Sequence, residues 1–342
     1  LASGTFQLAL AGTVRDLFRL GGADLQLEVS GSDLAAIHQL TGLPFPPTPP
    51  YRLASPLAYE NGVIRLTALT GRLGSSDIAG ALDIDIRPAR PTLTGALSSN
   101  RVDLQDLAGF IGSQPGRPET PGLTPSQRQA VARAIAHPRL IPTLPMDLPA
   151  IRSADVHLTY QAAGVIGRDM PFDSLAARLD LEDGAIRLTN LRAGIGKGAI
   201  LGTIAMDPRE NDMIVRADLR LQRLDVHRLL AAAGIFEGSG VLGGTVTLDS
   251  TGRSLAEILA RGVGRVTFAM AGGSVSKLMM DLSGLQLGEA VLAALGLPER
   301  AQVNCLIGDF ALARGALATR TFLLDTADDR TTLQGSIDVA AE

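Results

Sequence analysis

The 342-residue chain contains no tryptophan, three tyrosines, four histidines and one cysteine. A single cysteine, Cys305, excludes an internal disulfide and any cysteine-built zinc cluster. No stretch reaches the ~18 to 20 uninterrupted apolar residues of a membrane-spanning helix. Without tryptophan, and with so little tyrosine, the aromatic girdles of an outer-membrane barrel are missing too. There are no lysine and arginine runs interleaved with aromatics, and the net charge is -4, so nucleic acid finds no electrostatic footprint. The opening "LASGTFQLAL" has no basic region ahead of an apolar one and does not read as a signal peptide. It begins directly in an alternating strand, and the chain stops just after another, "TTLQGSIDVAAE". The expectation is a piece of a longer polypeptide, with any membrane anchor outside it.

Catalytic constellations are equally scarce. His38, His137, His157 and His227 are scattered without paired-ligand spacing and read as structural. Asp83 and Asp85 share one face of "ALDIDI", Asp328 and Asp329 sit in a turn, and neither pair has the alternating ligands of a calcium loop. No nucleophile elbow of the GxSxG kind occurs, and Cys305 has no neighbouring base. The sequence predicts no enzyme, no cofactor and no metal site.

Turn-forming and aliphatic residues are abundant: 38 glycines, 19 prolines and 46% apolar residues. This composition favours β-structure with frequent reversals and an aliphatic core. Sliding the sequence by 122 residues lays residues 53–112 on 175–234 without a gap, with 20 identities in 60 positions. An internal repeat explains the match. Within it "VIRLTAL" and "AIRLTNL" alternate as half-buried strands, and short polar loops between strands call for antiparallel meanders. A looser third copy ends the chain around Gly315 and Gly335.

The stretch "GIGKGA", 194–199, has the GxGxxA spacing of a dinucleotide loop. Its repeat counterpart keeps only Gly74 opposite Gly196, and the following "AILGTIAMD" is spaced as a strand, not as the helix that would hold a pyrophosphate. A hairpin turn is expected, and no nucleotide.

Three segments, "SDLAAIHQLTG", "VDLQDLAGFIG" and "LDVHRLLAAAG", place Asp33, Asp103 and Asp225 nine residues before a glycine. Each reads as a short helix with an acidic start and a glycine stop. Residues 113–150 read as a Pro/Gly-rich linker followed by a helix with Thr124 as its cap and Pro125 at its first position. The domain expectation is therefore a repeat region over 1–112, the linker and helix over 113–150, a second repeat over 151–234, and a C-terminal β region over 235–342 with a helical insertion at about 274–297.

The segments from "SGSDLAAIHQLTGLPFPPTPPYRLASPLAYENGVIRLTALTGRLGSSDIAGALDIDI" through "NRVDLQDLAGFIG", "LGGTVTLDSTGRSLAEILARGVGRVTFAMAGGSVSKLM" and "CLIGDFALARGALATRTFLLDT" resemble the AsmA-like family of Gram-negative bacteria. The family is similar in architecture to bridge-like lipid transfer proteins. The resemblance implies a periplasmic, inner-membrane-anchored protein that moves phospholipid toward the outer membrane. It also implies an elongated, twisted antiparallel β-sheet forming an open, taco-like groove. The alternative is a periplasmic scaffold that binds outer-membrane proteins by strand addition.

Period-two patterning supplies the candidate lining for acyl chains: Leu8, Leu10, Ile64, Leu66, Ile186, Leu188, Val246, Leu248, Val266, Phe268, Phe322 and Leu324. The same pattern also builds a closed core, and the sequence does not separate the two.

Overall fold

The computed structural model describes residues 2–3, 6–16, 21–37, 43, 45–111, 115–116, 120, 122–136, 151–166, 172–210, 212–232, 238–276 and 300–338. Alternating sequences become long strands: β1 Phe6–Asp16, β2 Gly21–Gly31, β3 Tyr51–Glu60, β4 Val63–Leu73, β5 Ser76–Asp85, β6 Thr92–Ser99, β7 Asp155–Ala162, β8 Ser174–Glu182, β9 Ala185–Ile195, β10 Gly198–Pro208, β11 Met213–Asp225, β12 Val241–Gly252, β13 Val263–Ala271, β14 Arg300–Ala313 and β15 Ala316–Thr326. They pair in chain order into one large sheet, mostly antiparallel and not closed into a barrel. The exception is the junction of β6 with β7, which run parallel from Thr92↔Asp155 to Ser99↔Ala162.

Turn chemistry fixes the meander. At one rim, here the near rim, Asn61-Gly62, Asp183-Gly184 and Arg314-Gly315 close two-residue hairpins. All six residues have positive φ between 49° and 82°, as type I′ turns require. At the opposite, far rim, the turns after β4 and β9 begin with Gly74 and Gly196, both at φ 59°. The two sequence repeats are thus the same structure, strands β3 to β6 and β8 to β11. Each even carries a bulge at the same place, between Leu66 and Leu69 in one and between Leu188 and Leu191 in the other. Facing the bulges are Gly80 (φ 151°) and Gly202 (φ 157°).

The expected short helices are present and their acidic starts work alike, while the expected stops, Gly42, Gly112 and Gly234, lie outside the described residues. Asp33, Asp103 and Asp225 each accept, through Oδ1, the backbone N–H two residues on. The first two segments form 3-10 turns, Leu34–Ile37 and Ala108–Ile111, and the third an α-helix, Val226–Ala232. The helix Pro125–Ala136, α1, starts as its sequence predicts. Thr124 Oγ1 accepts from Gln127 N–H, and Gln127 Oε1 accepts from Thr124 N–H, a reciprocal capping box. In chain order the helix Val226–Ala232 becomes α2 and Leu255–Arg261 becomes α3. Of the helical insertion expected near 274–297, Ser274–Ser276 is a short strand and the rest lies outside the described residues.

Asp106 ties the segment after β6 back to the sheet. It is 1% exposed, and its Oδ2 accepts the backbone N–H and the hydroxyl of both Ser75 and Ser76. Burial pushes its pKa up, and those hydrogen bonds partly oppose the shift. In the second repeat a different device holds the matching turn: Asp173 accepts from Gly196 N–H and pairs with Arg228 at 2.6 Å.

A Cβ on Gly202 would lie 2.0 Å from the Asp218 carbonyl oxygen, while one on Gly335 would meet nothing within 4 Å. Gly202→Ala therefore costs about 2 kcal/mol or more, from backbone strain and the forced shift of β11. Gly335→Ala stays within about 0.5 kcal/mol. Thermal unfolding of the two variants checks the contrast, and equal melting temperatures would contradict it.

Candidate functional site

Directly paired residues share a face of a sheet, so the register decides what each face presents. One row crosses the sheet with a single residue from each of β1 to β15. It runs Gly12, Leu25, Leu57, Leu66, Leu82, Gly95, Leu158, Leu179, Leu188, Ile204, Ala217, Leu248, Gly264, Leu312 and Leu317. Every member is aliphatic or glycine. The next row on the opposite face reads Arg65, Asp83, Thr94, His157, Asp180, Arg187, Ala205, Arg216 and Asp249. One face carries an unbroken apolar row across the sheet; the other is mostly charged or polar from β4 to β12.

The charged face is satisfied among neighbours by a hydrogen bond of His157 with Asp180 at 2.9 Å and by ion pairs of Arg187 with Asp207 at 3.5 Å, Arg216 with Asp249 at 3.3 Å and Arg265 with Asp309 at 2.6 Å. Arg178, and after it His157, hold the Asp180 carboxyl below the usual carboxylate range. Arg265 does the same to Asp309. These groups are solvated, and each pair adds little to stability.

The apolar face is the more sheltered one. Along β11, Ala217, Leu219 and Leu221 are half-buried while Arg216, Asp218, Arg220 and Gln222 are exposed. Packed clusters close this face at its rims. At the near rim α3 sets Ile258 against Met213 and Val215, with Ile186, Met206 and Leu248 around them. At the far rim Val226, Met270, Ala301, Val303 and Leu324 form another cluster. Between the two clusters the floor of β9 to β13 is half-buried. Aromatic rings gather at β13 to β15, where Phe268 and Phe310 stack at 5.9 Å and Phe322 lies 6.4 Å from Phe310. Gly308 provides the seat: a Cβ there would strike the Phe268 ring.

All twelve candidate lining residues fall on the apolar face, since each is paired into it. They do not all face the same surroundings. Leu66 and Leu324 are both 8% exposed, and Ile186, Leu248 and Phe322 pack against the rim clusters. Leu8, Ile64, Leu188, Val246, Val266 and Phe268 are half-buried, and Leu10 is 50% exposed. The sequence reading passed over Leu158, Leu179 and Ile204. The alternation of "DVHLTYQA" and "SLAARLDLE" was the available signal for the first two.

The glycine stretch is a hairpin, as expected. Ile195 pairs with Gly198, leaving Gly196 and the exposed Lys197 as the turn. Gly196 N–H already serves the Asp173 carboxylate, so an anion at this loop would meet a resident negative charge. Among the described residues no group of three His, Cys, Asp or Glu side chains is placed to hold a metal ion. No helix there is long and apolar enough to cross a membrane.

Residues 52–322 match the model of the AsmA family. The chain belongs to the AsmA family. It is 27% identical over 347 aligned residues to the AsmA family protein YhjG of Escherichia coli K12, with 99% of this chain and 51% of that protein covered. The chain thus spans about half the length of this curated relative. No solved structure matches it. The AsmA family is linked to lipid- and membrane-related functions and is not a known enzyme family.

Lys197→Ala should leave stability within about 0.5 kcal/mol of the parent, as exposed turn substitutions do. Calorimetric titration with ATP or NAD should show no binding by either protein. Nucleotide binding that disappears in the variant would overturn the hairpin reading.

Proposed function

We propose that this chain is a periplasmic part of a lipid transfer protein whose apolar face shields phospholipid acyl chains on their way to the outer membrane, with the inner-membrane anchor elsewhere in the full-length protein. The observation that carries this reading is the unbroken row of aliphatic and glycine residues from Gly12 to Leu317. Water penalises an exposed acyl chain by about 0.8 kcal/mol per methylene, roughly 11 kcal/mol for fourteen carbons. A half-buried aliphatic floor with a polar back offsets most of that cost at any point along its length. Binding by burial alone is undirected, which suits a molecule that must slide.

A second reading draws on the sheet edge. Outside β15 the same chain returns at Arg330–Thr332 and Ser336–Asp338, with Thr319 N–H donating to the Gly335 carbonyl between them, whereas outside β1 the described pairing is confined to Ala2 and Ser3, and that is the edge to which a partner strand could add. This arrangement favours a scaffold for outer-membrane proteins.

Two substitutions on the same face separate a lipid path from a sealed core. Leu188 is half-buried, so Leu188→Asp loses about 1 to 2 kcal/mol of apolar burial, leaves the fold intact and places a hydrated carboxylate in the path. Val215, 3% exposed in the near-rim cluster, has no such outlet. Val215→Asp should cost several kcal/mol and unfold the sheet around it. The expected result for Leu188→Asp is a nearly normal melting temperature with binding of a fluorescent-acyl phospholipid lost. Full lipid binding with a normal melting temperature would remove this stretch from the path, and collapse of the fold would mark it as sealed core.

A further inference from the structure

The hairpins β3–β4 and β8–β9 turn on the same backbone with different first residues. Asn61 and Gly62 take φ 49° and 81°, and Asp183 and Gly184 take φ 49° and 82°. Asn and Asp both tolerate this left-handed conformation, so the turn accepts either the amide or the acid. Of the asparagines at 61, 100, 190, 211 and 304, only Asn61 precedes a glycine.

The peptide between Asn61 and Gly62 is open to attack from within the chain. Asn61 is exposed, and among the described residues nothing hydrogen-bonds to its side chain or to the Gly62 N–H. Glycine also puts no Cβ beside that nitrogen. Packing keeps the glycine in place, since its φ is positive and a Cβ there would lie 2.6 Å from Arg87 Cγ. Ile86 N–H holds the other side of the turn, donating to the Gly62 carbonyl at 3.0 Å. In the second repeat the acid is already built in. The Asp183 carboxylate pairs with Arg90, and its N–H donates to Asp155 Oδ1 at 3.0 Å.

We propose that Asn61 is a site of spontaneous deamidation, independent of what the apolar face carries. The Gly62 nitrogen attacks Asn61 Cγ, and the new C–N bond closes a succinimide ring. The side-chain nitrogen leaves as ammonia, taking the proton of the Gly62 amide. Water then opens the ring, and nothing is oxidised or reduced. Opening at Cγ gives aspartate on an unchanged main chain. Opening at the main-chain carbonyl carbon gives isoaspartate, whose main chain runs through the side chain and is longer by one methylene. The aspartate product reproduces the Asp183 turn. The isoaspartate product does not fit a two-residue type I′ turn. It loosens the closing pair Glu60↔Val63, and with it the register that sets Leu57 opposite Leu66.

The test ages the purified, folded chain in mildly alkaline buffer, separates the aspartate and isoaspartate forms by chromatography, and maps every asparagine by mass spectrometry. Asn61 should deamidate at least tenfold faster than any other asparagine. Hydrogen exchange at the Val63 amide should be at least tenfold faster in the isoaspartate form than in fresh chain. Asn61→Asp should exchange there like fresh chain and keep its melting temperature. Deamidation at Asn61 no faster than elsewhere overturns the site. An isoaspartate form that exchanges like fresh chain at Val63 overturns the effect on register. Loss of protection at Val63 in Asn61→Asp overturns the assignment of aspartate as the product that fits the turn.

Discussion

Strand register is the constraint on which everything else depends. Side chains alternate with a period of two, so a slip of one residue at any junction would carry the rest of a strand's aliphatic residues to the charged face. The row from Gly12 to Leu317 survives because tight turns set the register at rim after rim and because bulges correct it inside strands. In β9 the apolar positions run Ile186, Leu188, then Leu191, Ala193 and Ile195. The odd step from 188 to 191 is absorbed at Thr189 and Asn190, with Asn190 held at φ 51°. A similar step separates Leu221 from Leu224 in β11, where Arg223 takes φ 50°.

The two faces then have opposite physical roles. On the charged face Asp and Arg side chains of neighbouring strands pair and neutralise one another, as Arg187 does with Asp207, Arg216 with Asp249 and Arg265 with Asp309. The sheet presents no large field of one sign around that row, and its net charge stays small. On the apolar face the row offers a ligand no side-chain hydrogen-bond partner, and glycine keeps the face low where neighbouring backbone approaches, as at Gly12, Gly95 and Gly264, or where a ring lies over it, as at Gly308. Stability comes instead from the rim clusters, where α2 and α3 complete small cores. Among the described residues stability and apolar display are thereby separated in space, with packed clusters at the rims and a half-buried aliphatic floor between them over β9 to β13.

Much of this was legible in the sequence. The gapless match of 53–112 with 175–234 gave two superimposable meanders, and Thr124 with Pro125 marked the start of α1. The apolar face was legible wherever alternation was strict. It was not legible past Leu188, because plain alternation puts Asn190 and Arg192 on the apolar face and only the bulge returns Leu191 there. The parallel junction of β6 with β7 was also hidden, since a long connection fixes no strand direction. The same holds for the packing of Leu43 and Phe45 with Leu82, Leu93 and Leu158. "TGLPFPPTPPY" reads locally as a proline-rich loop, and nothing in it specifies a docking place more than forty residues away at Leu93.

Native mass spectrometry of the purified chain, released from detergent-free buffer, tests the central claim most directly. The account predicts a folded chain carrying the added mass of one or more phospholipids, with the lipids recovered by organic extraction. A folded chain of its bare mass that takes up no phospholipid from vesicles would contradict it.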